Sequence, residues 1–517
     1  MKRRITYIHS PAASPDAQLS ADSLSVYGLD AAKEERITLG VDEIHSEIWQ
    51  VLQPLQRLHI RWTTEKGFDT AVPFSSRISP GLSVYFTPRE PDTASDTKLC
   101  NLLGNVFGPG VRKCSSPKES FTKSPALFEN ATPSATLQYH TLLPSLADFV
   151  AYLQQTVCST VTSDCARTAK SLLSAVSLDI DYDGASQTLT VSAFWDHPPD
   201  RQQGWTETIF KDNGNAKFNR VEVGLLSMER STLPEEHSLG GTLAVVGVDK
   251  KLKPTLFSFP SRHHPLSNKA TFRASWDLPT GLHPKLRISL SPEALTRPPA
   301  PADAICALHT YITLPSTIFA DRYQLSTRDP LFLESHNLAG LRAISGETDL
   351  EAPDWVVPGW GSNLLLELAT PSSPSELPQD GPWNATIPLH LRYLHPSLSG
   401  NRSTSLPWPV VFWACTAEED TKLNKSPFDR VNLGWDGLFE PSTLFYQVHP
   451  DVPEGRGIVE DIHVPVLRVS EEGLMDTTRR VELGTMAVIG LGFLWILWKL
   501  LVVVRSSGRV EKGQKTD

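Results

Sequence analysis

The chain has 517 residues, 40% of them hydrophobic and 21% charged, with a formal net charge of −10 at neutral pH. That balance is globular, and its acidic excess with dispersed lysines excludes a nucleic-acid-binding face. Forty-one prolines favour short strands and ordered turns over long helices. Length alone suggests about three domains, a number that large β-domains lower.

The opening, MKRRITYIHSPAASPDAQLS, is basic like a signal peptide but has no apolar core, so no cleavable signal is expected. RITYIH, RLHIRWTT around Leu58 and LSVYFTP around Val84 read as strands separated by proline and serine turns. The Ser/Thr/Lys-rich stretch from Pro91 to Pro133 reads as loop. In LPSLADFVAYLQQTVCS, Leu146, Phe149, Val150 and Leu153 fall at helical spacing, and DCARTAKSLLSAV continues as a second helical piece. SLDIDYDGASQTLTVSAFW predicts a hairpin with Leu178, Ile180 and Tyr182 on one face of its first strand and Leu189, Val191 and Ala193 alternating on its second.

Several short motifs invite chemistry and do not sustain it. Asp179, Asp181 and Asp183 spell D-x-D-x-D, but strand alternation puts them opposite the apolar face, as solvated acids. His263-His264 sits beside a proline without acids or cysteines at ligand spacing, which predicts an exposed turn. GWGSN, Gly359 to Asn363, matches neither a nucleophile elbow nor a phosphate loop. No catalytic constellation, cofactor site or metal site emerges, and none is expected.

Arg297 and the prolines at 298, 299 and 301 mark the sharpest linker. The division expected is 1–298, a mixed but mostly β region; 299–304, the linker; 305–470, an all-β sandwich or barrel-like module; 471–482, a spacer; 483–504, a membrane span; and 505–517, a tail. The span, LGTMAVIGLGFLWILWKLLVVV, covers roughly 33 Å as a helix, enough to cross a bilayer core. Its one charge, Lys499, lies near the C-terminal end, where it can snorkel to the headgroups or pair with a carboxylate in a partner's membrane bundle. Arg505, Arg509, Lys512 and Lys515 after the span, against Arg468, Arg479 and Arg480 before it, favour a cytosolic tail and a lumenal body. Four N-x-[ST] sequons agree: Asn130, Asn384, Asn401 and Asn424, with Asn384 and Asn401 the better acceptors because a proline follows each of the other two. Six cysteines add disulfide candidates. Cys100 with Cys114 and Cys158 with Cys165 would close short loops, leaving Cys306 with Cys415, although six reduced buried thiols fit the sequence too.

The second half carries recognisable words. ALHTYITLP from Ala307, FADRYQ from Phe319 to Gln324, DLEAPDW from Asp349 to Trp355, PLHLRYLHP from Pro388 and PVVFWAC from Pro409 resemble the PIG-X family, over roughly Ile305 to Val504. The resemblance implies a non-catalytic, endoplasmic-reticulum subunit of GPI mannosyltransferase I. Such a subunit stabilises a multi-spanning PIG-M-type partner that adds the first mannose to the GPI-anchor precursor. It implies a single-pass chain whose N-terminal body enters the lumen without a cleaved signal, and no small-molecule substrate of its own. His309, Tyr311, Asp321, Tyr323, His390, Arg392 and Tyr393 then become candidates for a partner-facing surface, while Trp408, Phe412 and Trp413 read as core. The rival readings are a general lumenal chaperone, a lumenal enzyme whose catalytic pair the spacing hides, and a tail-anchored cytosolic protein.

Overall fold

The computed structural model describes residues 1–517 except 72–73, 75, 91–95, 112–113, 124–135, 159–162, 212–218, 232, 372–380, 418–433, 470–473 and 511–517. The chain is mainly β with an apolar C-terminal helix, as the alternation and proline content predict. It forms two units. Met1–Tyr393 with Thr404–Ile462 make the larger one, and Leu394–Ser403 with His463–Asp517 the smaller.

Within the larger unit lies an eleven-stranded sheet, in the order Lys253–Pro260, Glu236–Val245, Arg220–Glu229, Lys2–His9, Ala31–Gly40, Thr188–Trp195, Ser177–Asp183, Leu55–Thr63, Gly81–Pro88, Leu137–Thr141, Thr122–Lys123. The N-terminal strand sits inside it, parallel to Arg220–Glu229 and antiparallel to Ala31–Gly40, with Ile5 and Tyr7 fully buried. The expected hairpin forms, and Leu178, Tyr182, Leu189 and Ala193 are buried while Ile180 and Val191 are half-buried. The stretch read as loop holds a helix, Lys98–Phe107, which buries Leu99, Cys100, Leu102, Leu103, Val106 and Phe107. Its apolar spacing is helical, but the surrounding serines and prolines masked it.

A six-stranded sheet follows the order His263–Pro265, Thr443–Gln447, Val410–Thr416, Ile305–Pro315, Gly361–Leu368, Leu338–Gly346. A four-stranded sheet runs Trp383–Pro388, Lys285–Leu290, Thr271–Trp276, His449–Pro450. Both take strands from either side of the proline stretch at 299–304, which lies inside the larger unit. Trp408, Phe412 and Trp413 are buried. A polar seam also joins sequence-distant strands. Trp360 Nε1 donates to the Gln138 carbonyl at 2.9 Å, Asn363 Nδ2 to Gln138 Oε1 at 2.9 Å, and the Ser79 and Thr313 hydroxyls lie 2.8 Å apart.

Two expectations about exposure are corrected. Asp179 is buried, because antiparallel register sets it opposite Arg61 at 3.5 Å; Asp181 meets His59, and Asp183 lies opposite Arg57. The D-x-D-x-D acids thus form one side of a cross-strand charge ladder, a role strand alternation could not show without the partner strand. His263 and His264 are buried as well, since they form a short strand parallel to Thr443–Gln447. The His264 ring stacks on Tyr446 and that of His263 on Phe445, and burial lowers both pKa values, that of His264 to about 3. They are neutral core residues at neutral pH.

GWGSN is structural too. Gly361 takes φ +151, and a Cβ there would collide with the Leu314 carbonyl oxygen, while a Cβ on Gly359 would meet the Glu347 carboxylate. Gly361→Ala is expected to cost roughly 2–4 kcal/mol from the disallowed φ and backbone clash. A urea-unfolding midpoint unchanged from wild type would refute that account.

All six cysteines are bonded, as Cys100–Cys114, Cys158–Cys165 and Cys306–Cys415. Cys306 and Cys415 occupy directly opposed positions on neighbouring strands.

In the smaller unit, Arg402 Nε donates to the His395 carbonyl at 2.6 Å and the Ser397 N–H to that of Leu467 at 3.1 Å. Its helix, Leu474–Val510, starts within the stretch expected as a spacer and contains a segment, Arg479–Arg505, long and apolar enough to cross a membrane. Lys499 Nζ lies 5.4 Å from the Trp498 ring centre and 5.9 Å from that of Trp495.

Candidate functional site

Three sequence words far apart in the chain meet around one side chain. Ile318–Phe319 pairs with His390–Leu391, which sets Phe319 opposite His390 and brings FADRYQ beside HLRY. Arg392 follows directly. Its guanidinium lies 4.5 Å over the Phe319 ring and is only 2% exposed. Nη1 donates to the carbonyls of Asp349 at 2.5 Å and Ala352 at 2.8 Å, and Nη2 to that of Glu347 at 3.2 Å. The DLEAPDW loop is therefore clamped by backbone contacts from an arginine some forty residues later. The planar fork of arginine can serve three carbonyls at once, which a lysine ammonium cannot reproduce.

Further bonds tighten the knot. The Asp354 N–H donates to the Tyr393 carbonyl at 3.1 Å, and Ser316 Oγ to Asp354 Oδ1 at 2.5 Å. Asp349 accepts from the N–H groups of Glu351 and Ala352, which hold its carboxyl below the usual carboxylate range. Asp321 caps the short helix Arg322–Leu325, accepting from the Tyr323 and Gln324 N–H groups at 2.8 and 3.2 Å. His390 Nε2 faces Gln324 Oε1 at 3.3 Å, and its Nδ1 faces that of His283 at 2.9 Å. Burial, reinforced by His283, lowers the His390 pKa.

The seven residues expected to face a partner are thus divided. His309 and Tyr311 are core: His309 stacks on Phe412 and Tyr311 is in the cluster around Trp435. Arg392 is the buried clamp, and Asp321 and His390 are half-buried positioning groups. Only Tyr323 and Tyr393 present large surface, 78% and 68% exposed. The loop that Arg392 clamps adds Trp355 at 50%, together with Val356 and Leu350, residues the sequence reading did not single out. Trp355 sits in the single 3-10 turn Asp354–Val356, too short for a sequence period to mark which side chain faces outward.

This arrangement is a rigid platform carrying exposed aromatics and rimmed by Glu347, Asp349, Glu351 and Asp354. Such residues supply large contact area at low conformational cost, the composition of interface anchors. Among the described residues no three His, Cys, Asp or Glu side chains converge as a metal site. Two sequons lie in described surface. Asn384 is exposed on the edge strand Trp383–Pro388, and Asn401 is exposed in the smaller unit; Asn130 and Asn424 lie outside the described residues.

Comparison with known proteins agrees with the words gathered here. The family model described as PIG-X / PBN1 matches residues 279–501. The chain is similar to Protein pbn1 of Emericella nidulans, 54% identical across 98% of this chain and 97% of that one. It is 50% identical to Protein pbn1 of Aspergillus oryzae, covering 100% and 99% of the two chains. Protein pbn1 of Schizosaccharomyces pombe is 32% identical over 43% of this chain and 56% of its own. With identity of that order along almost its whole length, the chain belongs to the PIG-X / PBN1 family.

Proposed function

We propose that this protein is a non-catalytic subunit of GPI mannosyltransferase I. It is held in the endoplasmic-reticulum membrane by its C-terminal helix, its body is lumenal, and it stabilises a multi-spanning PIG-M-type subunit. Family membership supports the reading, and the observation that carries it is the aromatic platform: exposed Trp355 and Tyr393 beside the loop that Arg392 clamps, and exposed Tyr323 on the helix that Asp321 caps. The mechanism is mass action. A partner engaged at about 100 times Kd gains about 2.7 kcal/mol against unfolding, and its unfolded fraction falls about a hundredfold.

A Tyr323→Ser, Tyr393→Ser double variant tests this. Both side chains are exposed, so the stability of the body should change by less than about 1 kcal/mol. Loss of two aromatic anchors should weaken partner capture at least ~10-fold, and partner abundance should fall while turnover per remaining molecule holds. Normal partner levels with lost activity would point to substrate handling instead, and many equal clients in the purified complex to a general chaperone. Sidedness has its own test: an N-glycan-removing enzyme should shift the mobility of the wild type, and less so that of Asn384→Gln, Asn401→Gln. No shift, with protease sensitivity of the body in intact microsomes, would place it in the cytosol.

A further inference from the structure

Away from the platform, the larger unit buries a cation that forms no ion pair among the described residues. Arg77 precedes the strand Gly81–Pro88 and is 8% exposed. Its backbone N–H donates to Gln447 Oε1 at 2.9 Å, and its guanidinium lies 4.9 Å over the Phe68 ring. Nε and Nη1 are buried without a hydrogen-bond acceptor, and among the described residues no carboxylate comes within ion-pair distance. Asp69 and Asp196 act on it only through longer-range attraction. Burial pulls its pKa down to about 10, well above neutral, so the charge persists. Gln447 adds a third orphan. Its oxygen is fixed toward the Arg77 N–H, and its Nε2 amide is buried with no acceptor.

Arg77 also lines a cavity of about 20 Å³, whose other walls include Phe272, Trp408, Val410 and Val411. That volume suits one water or one monatomic ion. A water would accept hydrogen bonds there but leave the charge uncompensated, and an unpaired buried ion costs several kcal/mol. Orphan N–H donors, a buried positive charge and apolar walls together select an acceptor that is negative, small and weakly hydrated.

We propose that Arg77 forms a structural halide site whose physiological occupant is chloride. The apolar walls favour bromide and chloride over strongly hydrated fluoride. The site is independent of the partner reading.

The test is thermal unfolding of the full-length protein in detergent at constant ionic strength, with sodium fluoride exchanged for sodium chloride. Wild type is expected to gain about 2 °C in Tm, saturating with chloride, and Arg77→Met to gain nothing. An equal gain in Arg77→Met would mean a general salt effect and overturn the site. So would a wild-type Tm indifferent to the exchange, the result expected if water alone satisfies the donors. Should Arg77→Met fail to fold, chlorine-35 NMR on the wild type decides. Excess line broadening that bromide displaces and fluoride does not supports the site, and its absence overturns it.

Discussion

Arg392→Met is expected to lower the stability of the larger unit by roughly 3–5 kcal/mol, because it orphans buried carbonyls and leaves the loop without its clamp. The three acceptors, on Glu347, Asp349 and Ala352, have no other described side-chain donor of this kind, and methionine fills the volume over Phe319 without an N–H. Arg392→Lys should recover only part of the loss, since one ammonium cannot replace two nitrogens set in a plane. The same variant separates two roles for the knot. Urea unfolding reads stability, and co-purification under conditions where the variant remains folded reads the platform. A folded Arg392→Met protein that captures its partner at wild-type yield would show that the clamp does not preorganise the contact surface. A midpoint shifted by less than about 1 kcal/mol would show that the carbonyls find water instead.

Replacing Cys306 and Cys415 together with alanine is the second large effect. That bond closes a loop of sequence separation 109, against 14 for Cys100–Cys114 and 7 for Cys158–Cys165. Loop-closure entropy then assigns it roughly 5 kcal/mol, and roughly 3 and 2.5 kcal/mol to the others. It also ties neighbouring strands of the six-stranded sheet, Ile305–Pro315 and Val410–Thr416. Unfolding midpoints of the three double variants, taken under oxidising conditions, should rank in that order. Equal losses would sink the entropic account and point to local packing, since Cys415 is fully buried.

The residues that sequence reading placed well and those it misplaced differ in one respect. Lys2–His9, Leu55–Thr63, Gly81–Pro88 and the Ser177–Trp195 hairpin are legible because period-two alternation is local: each strand announces its own apolar face. The family words from Ala307 onward are legible in the same way, as strings. His263 and His264 are not, because what buries them is Thr443–Gln447, a strand nearly two hundred residues later. Asp179 is a similar case, since its acid is stabilised by Arg61 on a strand that only the register brings opposite. Of the candidate surface, Tyr323 and Tyr393 could be named from sequence, whereas Trp355 and the reason for Arg392 could not.

Composition and order along the chain therefore settled the class of molecule: a mainly β chain with one apolar helix long enough for a bilayer, carrying the words of its family. Alternation, proline content and hydropathy are sums over neighbours, and neighbours are what a sequence lists. Only the tertiary structure decided that FADRYQ, DLEAPDW and HLRY share one arginine, that either side of the proline stretch contributes strands to the same sheets, and that Arg77 is buried with no ion pair among the described residues. Those outcomes depend on strand pairing and on desolvation by distant residues, which are set by three-dimensional contact.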